Sequence, residues 1–285
     1  MKTRHPYVDY NGTILSGALP VSHANRALQY GDGIFETMHY HQGRVLFEAD
    51  HFARLEAGIE ALKMKYPAGL TNRKFKSHVD KLLTLNNIRE DARIRLQVTR
   101  NEGGFYRPLS SESSYILTVS SLEEPGFVLS ARGLKTDVCD TVVLPLNGLS
   151  NQKTCNALPY VLAGIYASEN KLDDCLLRNA TGRIAEATAS NVFIVRRGNI
   201  FTPPLSEGCV AGVMRKNILA HSAELNFGIK EKPLTTRDLL AADEIFLTNV
   251  ITGIRWVETF RQKKLKNDLT AILSWEIGQS LSLFH

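Results

Sequence analysis

The chain has 285 residues, 44% hydrophobic and 22% charged, enough to bury the core of one large domain or two modest ones. No apolar run approaches the ~20 residues that cross a bilayer, and residues 1–10 lack the apolar stretch of a secretory leader, so the cytoplasm is the expected compartment and no membrane partner is expected. The net charge of +5 and the pI of about 9.0 arise from basic residues interleaved with acids. A basic pocket for anionic small molecules accounts for them, and nucleic acid is not expected as a partner.

Taken in chain order, Asn11-Gly12 between residues 7–10 and 13–15 predicts a hairpin. Residues 37–40 and 44–47 flank His41-Gln42-Gly43 as a second hairpin. Asp50 is expected to cap a helix in which Phe52, Leu55, Ile59 and Leu62 recur at helical spacing. A second helix is expected over 72–85, with Phe75, Val79 and Leu82 inward, followed by strands over 93–100 and 115–120. The Pro-Gly break and two acids in 121–126 mark a linker between a small α/β domain, 1–120, and a larger domain, 127–285.

In the second domain, short strands are expected over 142–144, 175–178, 191–195 and 244–248, broken by turns at 179–182 and 197–199. Helices are expected over 157–170, over 213–225 and near the C-terminus. The pattern predicts an α+β fold with a barrel-like second domain, and no βαβ alternation is evident. Cys139, Cys155, Cys175 and Cys209 form no C-x-x-C pair and read as reduced, mostly buried thiols. His39-x-His41 has the alternation of one strand face, but with no third ligand nearby it reads as an exposed strand, and no metal is expected.

Four segments could carry chemistry. Lys153 stands in a polar turn, 151–156, ahead of a helix whose buried stripe is expected at Leu158, Leu162 and Ile165 and whose cap is expected at Asn156. A lysine held there can lose hydration and become a nucleophilic amine, although from position alone a solvated loop lysine is the simpler reading. Glu186 lies among small residues before an apolar strand, where a carboxylate can meet a protonated ring nitrogen or simply face water. The glycine-containing loop 202–212 opens a helix at Val213, a ready phosphate site without a Walker pattern. Arg54, expected in the first turn of its helix, can grip a phosphate bidentately or sit on the helix shoulder.

The order of these residues is more specific than any one of them. Arg54, Lys153, Glu186-x-x-x-x-Asn191, Gly212-Val213-Met214-Arg215 and Thr248-Asn249, with Tyr30-Gly-Asp-Gly-Ile-Phe-Glu-Thr37 and Ala242-Asp-Glu-Ile-Phe246, resemble the class IV aminotransferases along nearly the whole chain. These are the fold-type-IV pyridoxal 5′-phosphate (PLP) enzymes, among them branched-chain aminotransferase, D-amino-acid aminotransferase and 4-amino-4-deoxychorismate lyase. The resemblance implies PLP as cofactor, a homodimer, and a site at the domain boundary. It implies Lys153 as Schiff-base lysine and general base and Glu186 as partner of the pyridine nitrogen. Arg54, Asn191, the N–H groups of Val213 and Met214, and the turn at Thr248 and Asn249 would serve the cofactor. Tyr30, Phe35 and Thr37 would line the substrate side, and Arg100 and Arg107 are candidates for substrate carboxylates.

Within that family the chain leans toward the lyase. Lys153-x-x-Asn156 lacks the Tyr that branched-chain enzymes carry, and Arg100-Asn-Glu lacks the R-x-H trap of the D-amino-acid enzymes. Thr37, Met214 and Asn249 resemble the lyases, whereas loop 100–108 resembles theirs only partly, which keeps an amino-acid transaminase, acting on a branched-chain or D-amino acid with a 2-oxo acid acceptor, as the alternative. Met214 also removes the hydroxyl that commonly supports the phosphate. A non-catalytic binding module using the basic surface is the reading from another class.

Overall fold

The computed structural model describes residues 6–19, 21–122, 127–225, 227–281 and 283. The chain divides into two compact units, 1–125 with 152–156, and 126–151 with 157–285. Of the expected linker, residues 123–126 lie outside the described residues. Residues 152–156 group with the first unit, although the chain on both sides of them belongs to the second.

The first unit runs β1 (Tyr7–Tyr10), β2 (Thr13–Ser16), α1 (Arg26–Tyr30), β3 (Gly33–His41), β4 (Arg44–Val45), α2 (Glu48–Ala61), α3 (Asn72–Leu85), β5 (Ala92–Arg100) and β6 (Ser113–Ser121). Its antiparallel sheet has the order β2-β1-β6-β5-β3-β4. Positive φ at both Asn11 and Gly12 makes the first hairpin turn, as the dipeptide predicts. Alternation sends Ile34 and Met38 of β3, Ile94, Leu96 and Val98 of β5 and Leu117 of β6 to one face. Phe52, Leu55, Ile59, Phe75, Val79 and Leu82 of α2 and α3 cover that face, with Phe52 and Phe75 edge to face. Asp50 is not the cap of α2. Phe47, left-handed at φ 54°, takes the cap position, so Asp50 falls in the first turn and Arg54 in the second.

The second unit runs β7 (Leu134–Leu144), α4 (Leu158–Glu169), β8 (Asp174–Asn179), β9 (Ile184–Ala187), β10 (Asn191–Arg196), β11 (Asn199–Thr202), a 3-10 turn (Leu205–Glu207), α5 (Val213–Glu224), β12 (Ile229–Glu231), α6 (Thr236–Ala241), β13 (Glu244–Asn249), β14 (Gly253–Phe260), β15 (Lys263–Lys264) and α7 (Asp268–Ser280). The strands form one curled, open sheet in the order β12-β11-β10-β13-β14-β7-β8-β9, with β15 on β14. Two parallel pairs bridged by a helix, β7-α4-β8 and β11-α5-β12, correct the expectation that no βαβ alternation is present. Strands of four and three residues, β11 and β12, are too short to announce a crossover.

The expected stripe on α4 is also reversed. Leu158, Leu162 and Ile165 are exposed, while Ala163 and Ala167 pack among Cys139, Val142, Leu144, Cys175 and Leu177. Small residues let the helix sit close to the sheet. None of the described helices is long and apolar enough to cross a membrane.

Candidate active site

In the first unit, residues 153–155 run antiparallel to the start of β3. Phe35 N–H donates to the Lys153 carbonyl (3.0 Å), Cys155 N–H donates to the Gly33 carbonyl (2.8 Å), and Ile34 bridges Thr154. Glycine is required at position 33, because a Cβ there would press on the Val98 carbonyl of β5. Asn156 is not the α4 cap; that position belongs to Ala157, and the Asn156 side chain donates to the Gly31 carbonyl instead. The half-buried Lys153 is thus tied by its backbone to the start of β3, next to an isolated bridge between Thr154 and Ile34.

The Lys153 ammonium lies 4.5 Å from the centre of the Phe35 ring, and the Arg95 guanidinium lies 3.9 Å from the same centre. The two cations are therefore no farther apart than the sum of those distances. Thr37 pairs with Arg95 across β3 and β5, so Phe35, Thr37, Arg95 and Lys153 form one polar face opposite the core. Arg95 is absent from the residues expected from sequence. The signal was the alternation Arg93-x-Arg95-x-Gln97, which keeps three polar side chains on the uncovered face. Burial pushes the neighbouring Cys155 thiol up to about 11, with Arg95 pulling it down and Asp32 pushing it up. That shift favours the protonated thiol at neutral pH.

Arg54 reaches a buried partner. Its Nε and Nη2 donate to the two oxygens of Glu36, at 2.7 and 2.6 Å, and His51 Nδ1 lies 2.6 Å from Glu36 Oε2. Burial pushes the Glu36 carboxyl up, but Arg54 and His51 more than offset it and leave the pKa below its ordinary value. Glu36 therefore fixes the guanidinium plane, a role the sequence reading missed. An acid on the core face of β3, between Ile34 and Met38, was the available signal.

Arg100 is a correction. Its Nε donates to Asp32 (2.9 Å) and its Nη1 and Nη2 to the Lys63 and Leu62 carbonyls (3.3 and 2.6 Å), so this buried guanidinium ties β5 to the end of α2 and does not await a carboxylate. Arg107 is exposed in the loop after β5. Tyr30 packs against Tyr106 of the same loop, with Arg26 over its ring.

In the second unit, buried Glu186 on β9 accepts from the Tyr160 hydroxyl (2.6 Å) and from Val210 N–H (3.0 Å). Asn191 on β10 donates to the Val210 carbonyl, and a Cβ on Gly212 would collide with the Asn191 side-chain oxygen. Val213 and Met214, both buried, open α5, where the first N–H groups of any helix lack an intrahelical acceptor. Thr248 pairs with Asn191 across β13 and β10, and its buried hydroxyl has no hydrogen-bond partner among the described residues. Asn249 spends its side chain on the turn: Oδ1 accepts from the N–H groups of Ile251 and Thr252, and Nδ2 donates to Ser190.

These groups fit PLP. A buried carboxylate suits a protonated ring nitrogen, and a helix start behind a glycine cradle, with an orphaned hydroxyl in the same unit, suits a phosphate. A family model described as amino-transferase class IV matches residues 33–260. An aminodeoxychorismate lyase of Vibrio harveyi is 29% identical over 83% of this chain and 87% of its own. A Methanocaldococcus jannaschii protein provisionally described as a branched-chain-amino-acid aminotransferase is 32% identical over 82% of this chain and 80% of its own. The crystal structure of a branched-chain aminotransferase from Thermoproteus uzoniensis shares the fold with a TM-score of 0.85, at 21% identity, over 97% of this chain and 94% of its own.

Proposed function

The chain belongs to the class IV aminotransferase family of PLP-dependent enzymes, and from that premise we propose that it is a 4-amino-4-deoxychorismate lyase, releasing pyruvate and p-aminobenzoate. Lys153 would hold the cofactor covalently through its ε-amino group. Glu186, kept as an acceptor by Tyr160 and Val210, would pair with the ring nitrogen. Arg54, the Val213 and Met214 N–H groups and the Thr248 hydroxyl would hold the phosphate, with Asn191 and Asn249 shaping the loops that present them. When bound, the cofactor supplies an electron sink for charge developing on the substrate.

Lys153, displaced by the substrate amine, would take the proton from the carbon bearing that amine. The ring C–O bond would then break as the ring becomes aromatic; the enolpyruvate would take up the proton that Lys153 removed and become pyruvate, and return of the Lys153 amine would release p-aminobenzoate. The observation that carries the reading is Arg95 over the same Phe35 ring as Lys153, with Thr37 paired opposite Arg95 on β3. A guanidinium near the lysine and a hydroxyl on the same sheet face suit a substrate with a carboxylate to grip and an ether oxygen to protonate.

The second reading is an amino-acid transaminase, because Arg95 also suits the distal carboxylate of a dicarboxylic amino donor. Pyruvate released from 4-amino-4-deoxychorismate without any 2-oxo acid supports the lyase. Turnover seen only with an amino donor and a 2-oxo acid rejects it. A protein without visible cofactor absorbance, or a Lys153→Ala variant that keeps both colour and activity, rejects the lysine assignment. We also infer a homodimer, supported by the exposed Leu158, Val161, Leu162 and Ile165 on α4. Light scattering that gives a monomer mass overturns it.

A further inference from the structure

At the end of β3 remote from Lys153, two histidines and an aspartate converge. His39 Nε2 lies 2.9 Å from Asp91 Oδ2, and His41 Nδ1 lies 2.8 Å from Asp91 Oδ1. One candidate ligand atom from each residue lies within 4.8 Å of the other two. We propose that His39, His41 and Asp91 form a three-ligand site for a divalent transition-metal ion of the zinc, nickel or copper class, with water completing the coordination.

The ligands are fixed by regular structure. His39 and His41 alternate on β3 and so leave the same face of the sheet. Asp91 immediately precedes β5, where Ala92 pairs with Tyr40, which sets Asp91 beside His41. The Asp91 carbonyl accepts from Leu122 N–H (3.0 Å), anchoring that residue from just beyond β6 as well. His41 is held by the tight turn at Gln42 and Gly43, both with positive φ. The sequence could not show the third ligand, because Asp91 lies 52 residues from His39.

The chemistry selects the ion. Two imidazole nitrogens and one carboxylate suit zinc, nickel or copper, whereas magnesium and calcium require mostly oxygen donors. Arg93 pairs with His39 across β5, and Arg44 with His41 across β4. These cations disfavour purely electrostatic binding, so affinity must come from coordinate bonds. His39 is fully buried, while the His41 and Asp91 side chains are 16% and 17% exposed, which leaves an opening for entry and for water ligands.

On binding, each neutral imidazole presents a lone pair to the metal and carries its proton on the other ring nitrogen; a protonated imidazole releases one proton. At ~3.3 Å per residue, His39 and His41 stand about 13 and 20 Å along β3 from Phe35. The ion would therefore staple the β3–β4 turn to the α3–β5 connection without touching the lysine.

The test is titration of the PLP-loaded protein with zinc by calorimetry and with cobalt(II) by visible absorbance. The expected result is one ion per chain with micromolar affinity and a Tm that rises with zinc. His41→Ala and Asp91→Asn should each lose binding by at least the roughly 10–100-fold that loss of an outer-shell partner already causes, and should abolish the Tm rise. Both positions are partly open to solvent, so a variant that fails to fold leaves the other to decide. No binding by the unsubstituted protein overturns the proposal. So does unchanged stoichiometry and affinity in either folded variant, or a cobalt spectrum showing thiolate ligation.

Discussion

The Tyr160 hydroxyl donates a 2.6 Å hydrogen bond to Oε1 of Glu186, while Val210 N–H occupies Oε2 at 3.0 Å. Burial, reinforced by Glu186 itself, pushes the Tyr160 phenol far above its ordinary value, so it stays a donor at every working pH. The carboxylate is therefore set to accept a further proton-bearing group. Tyr160→Phe should weaken cofactor binding by about 5–10-fold, the worth of one net hydrogen bond. Glu186→Gln should lower kcat by at least about 10–100-fold, the range for a lost charged hydrogen bond. Cofactor titration and steady-state rates measure both, and a Tyr160→Phe protein with unchanged affinity would remove the tyrosine from this role.

The Glu36–Arg54 pair predicts acid sensitivity. The folded Glu36 pKa is depressed below its unfolded value near ~4.3, so its stabilisation is present above that value. It is lost as pH falls through the folded pKa. Glu36→Gln should flatten this part of the stability–pH curve. It should also cost about 3–5 kcal/mol at neutral pH, because Arg54 keeps its charge without its partner. Urea unfolding at pH 7 and at successively lower pH, down to well below the ordinary carboxylate range, gives both numbers. A loss on Glu36→Gln that is the same at neutral pH and far below the carboxylate range would contradict the assignment.

What the sequence made legible follows from how local the signals are. Asn11-Gly12 announced its hairpin, and α3 was readable because Phe75, Val79 and Leu82 are apolar on an otherwise polar helix. On α4 the same reasoning chose the wrong face, since Leu158, Leu162 and Ile165 on one side compete with Ala163 and Ala167 on the other, and periodicity reports the larger residues. Residue order singled out Lys153, Glu186 and Gly212 as candidates for the cofactor site. It had no means of showing what distant pairing sets: Glu36 with Arg54, Tyr160 with Glu186 and Arg95 above Phe35 join residues that no local window contains.

Arg95 and Arg100 should separate cleanly. Arg95 has an exposed side chain on the uncovered face, so Arg95→Ala should leave Tm unchanged and raise KM by about 10–100-fold, the worth of a charged hydrogen bond to a substrate carboxylate. Arg100 bonds Asp32 and two carbonyls. Arg100→Ala should therefore lower stability by about 3–5 kcal/mol. Paired thermal melts and KM values decide, and an Arg95→Ala protein with an ordinary KM would exclude that guanidinium from substrate binding.

Thr248 predicts a change of sign. Its buried hydroxyl has no partner among the described residues, a state that costs roughly 1–3 kcal/mol. Thr248→Val keeps the shape and removes that burden, so the cofactor-free protein should be as stable as before or more so. If the hydroxyl donates to the cofactor phosphate, the same variant should bind PLP about 10–100-fold more weakly. Melts with and without PLP test this, and equal effects in both states would exclude the contact.

Gly212 makes the loop proposed to hold the phosphate depend on Asn191. The Gly212 N–H donates to the Val210 carbonyl, which also accepts from the Asn191 side chain, and Lys216 N–H returns to the Gly212 carbonyl to begin α5. A Cβ on residue 212 would occupy the space of the Asn191 side-chain oxygen. Gly212→Ala must therefore displace Asn191, the Val210 loop or the helix start, and PLP affinity should fall. Asn191→Ala opens the space but gives up its own hydrogen bond, a net change of about 1 kcal/mol. The double variant Gly212→Ala/Asn191→Ala should then bind PLP more tightly than Gly212→Ala alone. Additive losses in the double-mutant cycle would show that the glycine serves the helix start and not the clearance from Asn191.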